Sequence, residues 1–241
     1  RLTSLLLKFD LASFSELTAA IKTSSAVGMK IKAAVVDAMT TNETFWFRDD
    51  AQFLELKEKI LPEIFKRKPG SIKVWSAACS SGQEPYTISM CVDDAGKKMA
   101  ISPNVQIIGT DISESILQEA KSAVYSDLAL SRGLDAQTKS RFFQKVHDGY
   151  KLNSDIIRRV RFQQFNLLKP FSILGRFDVI FCRNVLIYFS DEVKADILTR
   201  MVSLLEPGGY LFLSSTESMP QSVKNIEPIR GGRVRYFKKV S

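Results

Sequence analysis

The sequence predicts an α/β protein, a doubly wound and mostly parallel sheet preceded by an all-helical segment and interrupted by a small β insertion. Three observations predict it. Up to about residue 68 the chain looks helical, with apolar residues recurring at helical spacing. After Gly70, short apolar or β-branched runs alternate with helical stretches, as parallel strands joined by crossover helices require. One of those runs, Phe177 to Cys182, is rich enough in apolar and β-branched residues to be a strand buried on both faces.

The elements follow in order. Helical spacing marks Phe9 to Ile21 and Met29 to Met39. A third helix starts at Asp49 or Asp50, both good capping residues, and presents Phe53, Leu54, Ile60, Leu61, Ile64 and Phe65 on one face. Pro62 is expected to kink or split it, and Lys68-Pro69-Gly70 ends it. Residues 1–68 are therefore expected to form a helical domain with a linker, and residues 69–241 the sheet domain.

In that second part Ile72 to Ala77 is a strand, and a helix runs from Pro85 towards Ala100, since proline suits a first helical turn. Val105 to Gly109 is the next strand, and a helix from about Glu114 to Ala123 follows Asp111. Val160 to Phe165 and Phe177 to Cys182 are further strands, and Asp191 to Leu205 is helical. Pro207-Gly208-Gly209 reads as a turn before a strand over Tyr210 to Ser214, and Val234 to Phe237 adds a last strand. Between Ala123 and Val160 the alternation lapses. Ser126 to Phe143 reads as helix and His147 to Tyr150 as a hairpin turn, so a small insertion is expected over about 142–161.

The bulk chemistry narrows the function classes. Hydrophobic content of 45% and charged content of 25% suit a soluble globular protein. No apolar run approaches the ~20 residues needed to cross a bilayer, so membrane insertion is not expected. Three cysteines without close pairing argue against a disulfide framework and a metal site, and favour a cytoplasmic setting. His147 is the only histidine, which leaves little room for histidine acid–base chemistry. A chain opening on Arg1 is expected to have been trimmed. The net charge of +8 is uneven, with ten Lys/Arg against three acids from Arg132 to Arg176. That predicts either an anionic partner or a solvated basic surface. No nucleic-acid motif accompanies the charge, so nucleic acid is not expected as a partner. Nothing in the sequence demands more than a monomer.

The stretch VWSAACSSGQEPYT, Val74 to Thr87, turns from strand to small residues where a helix should begin. In an open parallel sheet, ligands bind outside the carboxyl ends of the strands. Small residues there allow close approach to the backbone, and Gly82 can take positive φ. Ala77 to Glu84 therefore reads as a cradle for part of a cofactor. It lacks the glycine pattern of dinucleotide sites and the lysine of phosphate loops. An acid at Glu84 suits a positive amino group, and Asp111 after the second strand suits two ribose hydroxyls. A ribose, an ammonium group and no phosphate describe S-adenosylmethionine. A tight strand–helix turn and a plain helix cap are the alternatives for each feature alone, whereas their joint occurrence favours the cofactor.

The segments TTNETFWFR (Thr40 to Arg48), VWSAACSSGQEPYT, GTDIS (Gly109 to Ser113) and FDVIFCRNVLIYF (Phe177 to Phe189) resemble, in order, the chemoreceptor glutamate methyltransferases, the CheR family of bacterial chemotaxis. The resemblance implies a Rossmann-like S-adenosylmethionine-dependent methyltransferase domain with an N-terminal helical domain packed over it. It implies an enzyme that methylates receptor glutamates, giving glutamyl methyl esters and S-adenosylhomocysteine. Carried onto this sequence, it places Asn42, Thr44 and Arg48 against the cofactor from the linker. Glu84 would meet the methionine amino group, Asp111 the ribose, and Asn166 and Leu167 the adenine. Arg183 and Asn184 would end a strand beside the site, with Tyr188 near the transferred methyl. Arg48 and Tyr188 are the expected catalytic residues.

The implied partner is the cytoplasmic methylation helix region of a chemoreceptor. Some family members also grip a receptor's C-terminal peptide through the β insertion. Here the segment from Phe143 to Arg161 is short, with only Gly149 at its turn, and this departure argues against tethering. Two alternatives use the same pocket: a methyltransferase acting on RNA or a small carboxylic acid, and a non-catalytic module that binds S-adenosylhomocysteine and docks on receptors.

Overall fold

The computed structural model describes residues 1–231 and 234–240. Three helices lead: α1 (Thr3–Lys8), α2 (Phe14–Ile21) and α3 (Ala26–Met39). Ser13 and Ser25 cap α2 and α3 through the amides of Glu16 and Gly28, satisfying donors that a helix start leaves open. The chain then runs without regular structure to α4 (Asp50–Glu55), a π-helical turn (Leu56–Ile60) and α5 (Leu61–Arg67).

Three features of that last run matter. It packs on the sheet: Phe53, Leu56, Ile60, Leu61 and Ile64 share one buried cluster with Val74, Val179 and Phe212. Leu54, expected on the buried face, is 56% exposed, because it lies about a quarter turn from Phe53. Pro62 neither breaks nor ends the helix. The wider π turn lies just ahead of it, where a proline lacks its N–H and crowds the carbonyl four residues back.

The sheet strands are β1 (Ile72–Ala77), β2 (Val105–Asp111), β6 (Val160–Gln164), β7 (Phe177–Cys182), β8 (Leu205–Phe212), β9 (Ile226–Gly231) and β10 (Val234–Lys239). Their order is β6-β2-β1-β7-β8-β10-β9, parallel from β6 to β8 and antiparallel at β10 and β9. The order reverses between β1 and β7, so the switch point lies at their carboxyl ends. Helices α6 (Gln83–Lys98), α7 (Glu114–Ser122) and α11 (Asp191–Leu204) connect the strands. Two buried clusters, one on each face, enclose β7, all six residues of which are buried. Asp178 is the one acid on that strand. It is tolerated because Lys68 Nζ donates to it at 2.9 Å and the Lys73 amide at 2.9 Å.

The insertion is a second sheet of β3 (Val124–Tyr125), β5 (Gly149–Leu152) and β4 (Phe143–Val146), in that order. Ser126 to Phe143 is not one helix. It is α8 (Asp127–Ser131) and α9 (Ala136–Phe142), broken at Gly133, whose φ is +99°. A Cβ at Gly133 would lie 1.9 Å from the Trp46 carbonyl oxygen, so the linker passes where only glycine fits. Trp46 itself is fully buried, edge-on to Tyr125 at 4.9 Å and Phe143 at 5.2 Å. The linker is thus pinned to the insertion by an aromatic anchor whose removal typically costs about 3–5 kcal/mol. A short helix α10 (Ser154–Ile157) leads into β6. Two further details depart from expectation. Pro207 to Gly209 lies inside β8 as a register shift against β7, and β9 pairs with β10 where no strand was anticipated.

Candidate functional site

At the end of β1 the backbone turns sharply. Ala78 and Ser80 have φ near +54° and +50°, and Gly82 has φ +90° as the residue before α6. A Cβ at Gly82 would meet Ala120, Phe162 and the Tyr125 hydroxyl at 3.0–3.2 Å. Two left-handed non-glycine residues in one turn carry strain, which such loops hold where a ligand must approach the backbone. The Ser80 hydroxyl donates to the Asn42 carbonyl at 2.9 Å and so ties the turn to the linker.

Asp111 closes β2 beside this turn. Its Oδ2 accepts from the Ser80 amide at 2.9 Å and its Oδ1 from the Ser113 amide at 3.1 Å. Each oxygen keeps lone-pair capacity for one more donor. Burial pushes the carboxyl above its ordinary pKa, against the amide donations that favour the ion.

Glu84, in the first turn of α6, accepts from the Ser76 hydroxyl at 2.7 Å and from Arg183 Nη1 at 2.8 Å. Arg183, just past β7, donates through Nη2 to Asp49 Oδ2 at 2.8 Å and to the Arg48 carbonyl. Its guanidinium lies over the Phe53 ring at 5.3 Å, and its buried Nε has no hydrogen-bond partner among the described residues. One cation between two acids leaves this corner with a net negative charge.

Beyond Arg183 the chain bends at Asn184, φ +59°, into a 3₁₀ turn over Leu186–Tyr188. Buried Glu217 holds that bend. It accepts the amides of Asn184 (3.0 Å), Val185 (3.1 Å), Leu186 (2.8 Å) and Ser214 (3.0 Å), and the Ser214 hydroxyl (2.7 Å).

These parts surround a cavity of about 320 Å³ between the linker and the strand ends. Of the residues named from sequence, Asn42, Thr44, Arg48, Glu84, Asp111, Arg183, Asn184 and Tyr188 line it. Tyr188 is 62% exposed at its rim. Arg48 lies over the Phe45 ring at 5.4 Å and donates to the Glu43 carbonyl at 3.3 Å. Its neighbour Asp49 is taken by Arg183, so Arg48 has no ion pair among the described residues.

Three named residues lie off the wall. Ala77 is buried in the core on the Trp75 side of the sheet, and Ala78 takes its place in the lining. Asn166 turns its own chain, accepting from the Leu168 amide at 2.9 Å. Leu167 is buried in the core, its carbonyl taken by Arg200 at 2.9 Å.

Other groups contribute nothing nucleophilic. Cys79 lines the cavity, but burial and the nearby Asp111 and Glu84 charges push its thiol well above the ordinary range. Cys91 and Cys182 are free and buried as well. His147 is 98% exposed on the insertion hairpin, paired with Asp148 at 2.6 Å. Sequence reasoning missed Glu217 and Ser80. Ser80 was legible only as a small loop residue. Glu217 carried no signal, because the bend amides it holds are 31 to 33 positions away.

The donor set is specific. The carboxylates of Asp111 and Glu84 flank an opening whose lining carries two guanidinium groups, Arg48 and Arg183, the second of them already committed to Glu84 and Asp49.

The family described as "CheR methyltransferase, SAM binding domain" matches residues 42–234. A chemotaxis protein methyltransferase of Vibrio parahaemolyticus is 45% identical over 232 residues, covering 95% of this chain and 83% of that one. Chemotaxis protein methyltransferase 1 of Pseudomonas aeruginosa is 46% identical over 223 residues, covering 91% and 80%. Matched by that family over residues 42–234 and by these relatives over most of its length, this chain belongs to the CheR methyltransferase family.

Proposed function

We propose that this protein transfers a methyl group from S-adenosylmethionine to glutamate side chains of bacterial chemoreceptors. The observation that carries the reading is Asp111, whose two oxygens each accept one backbone amide and face a cavity built from the turn after β1. That arrangement fits a ribose with two hydroxyls. The acidic corner around Glu84 fits an ammonium group, and the lining residues of the linker enclose the remainder.

Bound there, the cofactor supplies an electrophilic methyl on a sulfonium, and its transfer to a carboxylate oxygen leaves S-adenosylhomocysteine. Asp111 and Glu84 hold the two ends and so set the direction in which the methyl points. Arg48 and Tyr188, at the linker and the rim, orient the incoming carboxylate. A carboxylate is ionised near neutral pH and has no proton to lose. The site therefore needs alignment rather than a general base, which agrees with its lack of histidine. Lys22, Lys30 and Lys32 of the leading helical region, with the basic insertion, offer a cationic surface to an acidic receptor helix.

The test is a labelled-methyl transfer assay with receptor-containing membranes. Base-labile label on the receptor is the expected result. Label on RNA, or none, overturns the reading.

A further inference from the structure

We infer that Glu217 is a positioning residue for methyl transfer, acting through the 3₁₀ turn that presents Tyr188. This deepens the function proposed above and rests on it. The three successive amides of Asn184, Val185 and Leu186 all point at one carboxylate, at 2.8–3.1 Å. Successive amides in this arrangement form an anion-binding concavity, and here the anion is part of the chain.

Little else holds the bend they make. Asn184 sits at φ +59°, in the left-handed region that asparagine tolerates better than most residues, and among the described residues the turn that follows has no side-chain cap. The Tyr188 amide closes the turn on the Val185 carbonyl at 3.2 Å. Tyr188 itself is largely exposed, so little packing holds it. Its place at the cavity rim is therefore set by the backbone under it, and Glu217 sets that backbone. The carboxylate is anchored in turn by the amide and hydroxyl of Ser214, just past the end of β8. Glu217 does not line the cavity, and neither cofactor nor substrate is expected to touch it.

The experiment compares E217Q with wild type in the receptor methylation assay, each in a background with Tyr188 intact or changed to phenylalanine. The glutamine keeps the shape but sets an NH₂ against the amides. The expected result is a fall in kcat of about 10- to 100-fold, the scale of a misplacement near the reacting atoms. Calorimetric affinity for S-adenosylhomocysteine should change by less than about twofold, because Asp111 and Glu84, expected to hold the two ends of the cofactor, are untouched. In the Y188F background the same change should cost less than about threefold, since residues acting as one unit are not additive.

An equal loss in both backgrounds, or a loss of cofactor affinity matching the loss of rate, overturns the inference. If E217Q does not fold, S214A decides it. That variant removes one anchor and leaves the amides paired. It should lower kcat by about two- to fivefold at constant cofactor affinity, and an unchanged kcat overturns the inference. Failure of the wild-type protein to label the receptor would instead sink the proposed function.

Discussion

Arg183 Nη1 lies 2.8 Å from Glu84 Oε2, joining the end of one central strand to the first turn of the helix after its neighbour. The same guanidinium holds Asp49 at 2.8 Å and the Arg48 carbonyl, so one buried cation connects the Glu84 corner to the linker. Removing it leaves two acids facing each other with no counter-charge. R183A should therefore lose about 3–5 kcal/mol of stability, the cost of breaking a buried pair from one side. Urea unfolding checks this, and a loss under about 1 kcal/mol would show that water replaces the guanidinium.

Asp111 is expected to carry the ribose. D111N keeps the size of the side chain and loses its charge. Binding of S-adenosylhomocysteine should weaken about 10- to 100-fold, the scale of a hydrogen bond to a charged group. Isothermal calorimetry reads this directly, with circular dichroism as the control for folding. Unchanged affinity would remove Asp111 from the site.

Arg48 and Tyr188 are expected to act on the substrate rather than the cofactor. R48A and Y188F should lower the rate of methyl transfer by about tenfold or more. Affinity for S-adenosylhomocysteine should move much less. Parallel losses in both quantities would make them cofactor-binding groups only.

Receptor methylation should weaken as salt rises, because a basic surface meeting acidic helices is screened beyond a Debye length of ~10 Å at 0.1 M. Initial rates over a salt series, with cofactor binding measured alongside, separate docking from folding. A flat profile would exclude the basic surface from docking.

Asp93 provides a pH test of the fold. It accepts from Lys97 at 2.7 Å and Arg141 at 2.9 Å, tying α6 to α9. Burial works against its ionisation, but those hydrogen bonds and charges prevail and hold its pKa below the ordinary 3.8. A lowered folded pKa gives stability that is present above the unfolded value and lost as pH falls through the folded one. D93N should therefore be less stable by about 1 kcal/mol at neutral pH. The gap should narrow as pH falls below about 4, the unfolded carboxylate range. Thermal melts across that range decide it, and a gap independent of pH would mean that the ion pairs contribute nothing.

The sequence by itself determined the layer order, the strands β1, β2, β6 and β7, and the loop over Ala77 to Glu84. These are local matters: apolar period, small residues at a strand end, a proline in a first turn. It also carried the family, through segments whose residues lie close together along the chain. It did not show that Pro207 to Gly209 would stay inside a strand, because a register shift depends on the neighbouring strand. It read one helix from Ser126 to Phe143, because the break at Gly133 is imposed by the passage of the distant Trp46 carbonyl.

Only the tertiary structure decided how the site is held. Glu84 meets Arg183 across 99 positions, and Glu217 meets the bend after β7 across more than 30. Buried charges must find partners wherever the fold brings them. Spacing along the chain carries no trace of such pairings, so a sequence shows which residues are charged and only the packed sheet shows which ones meet.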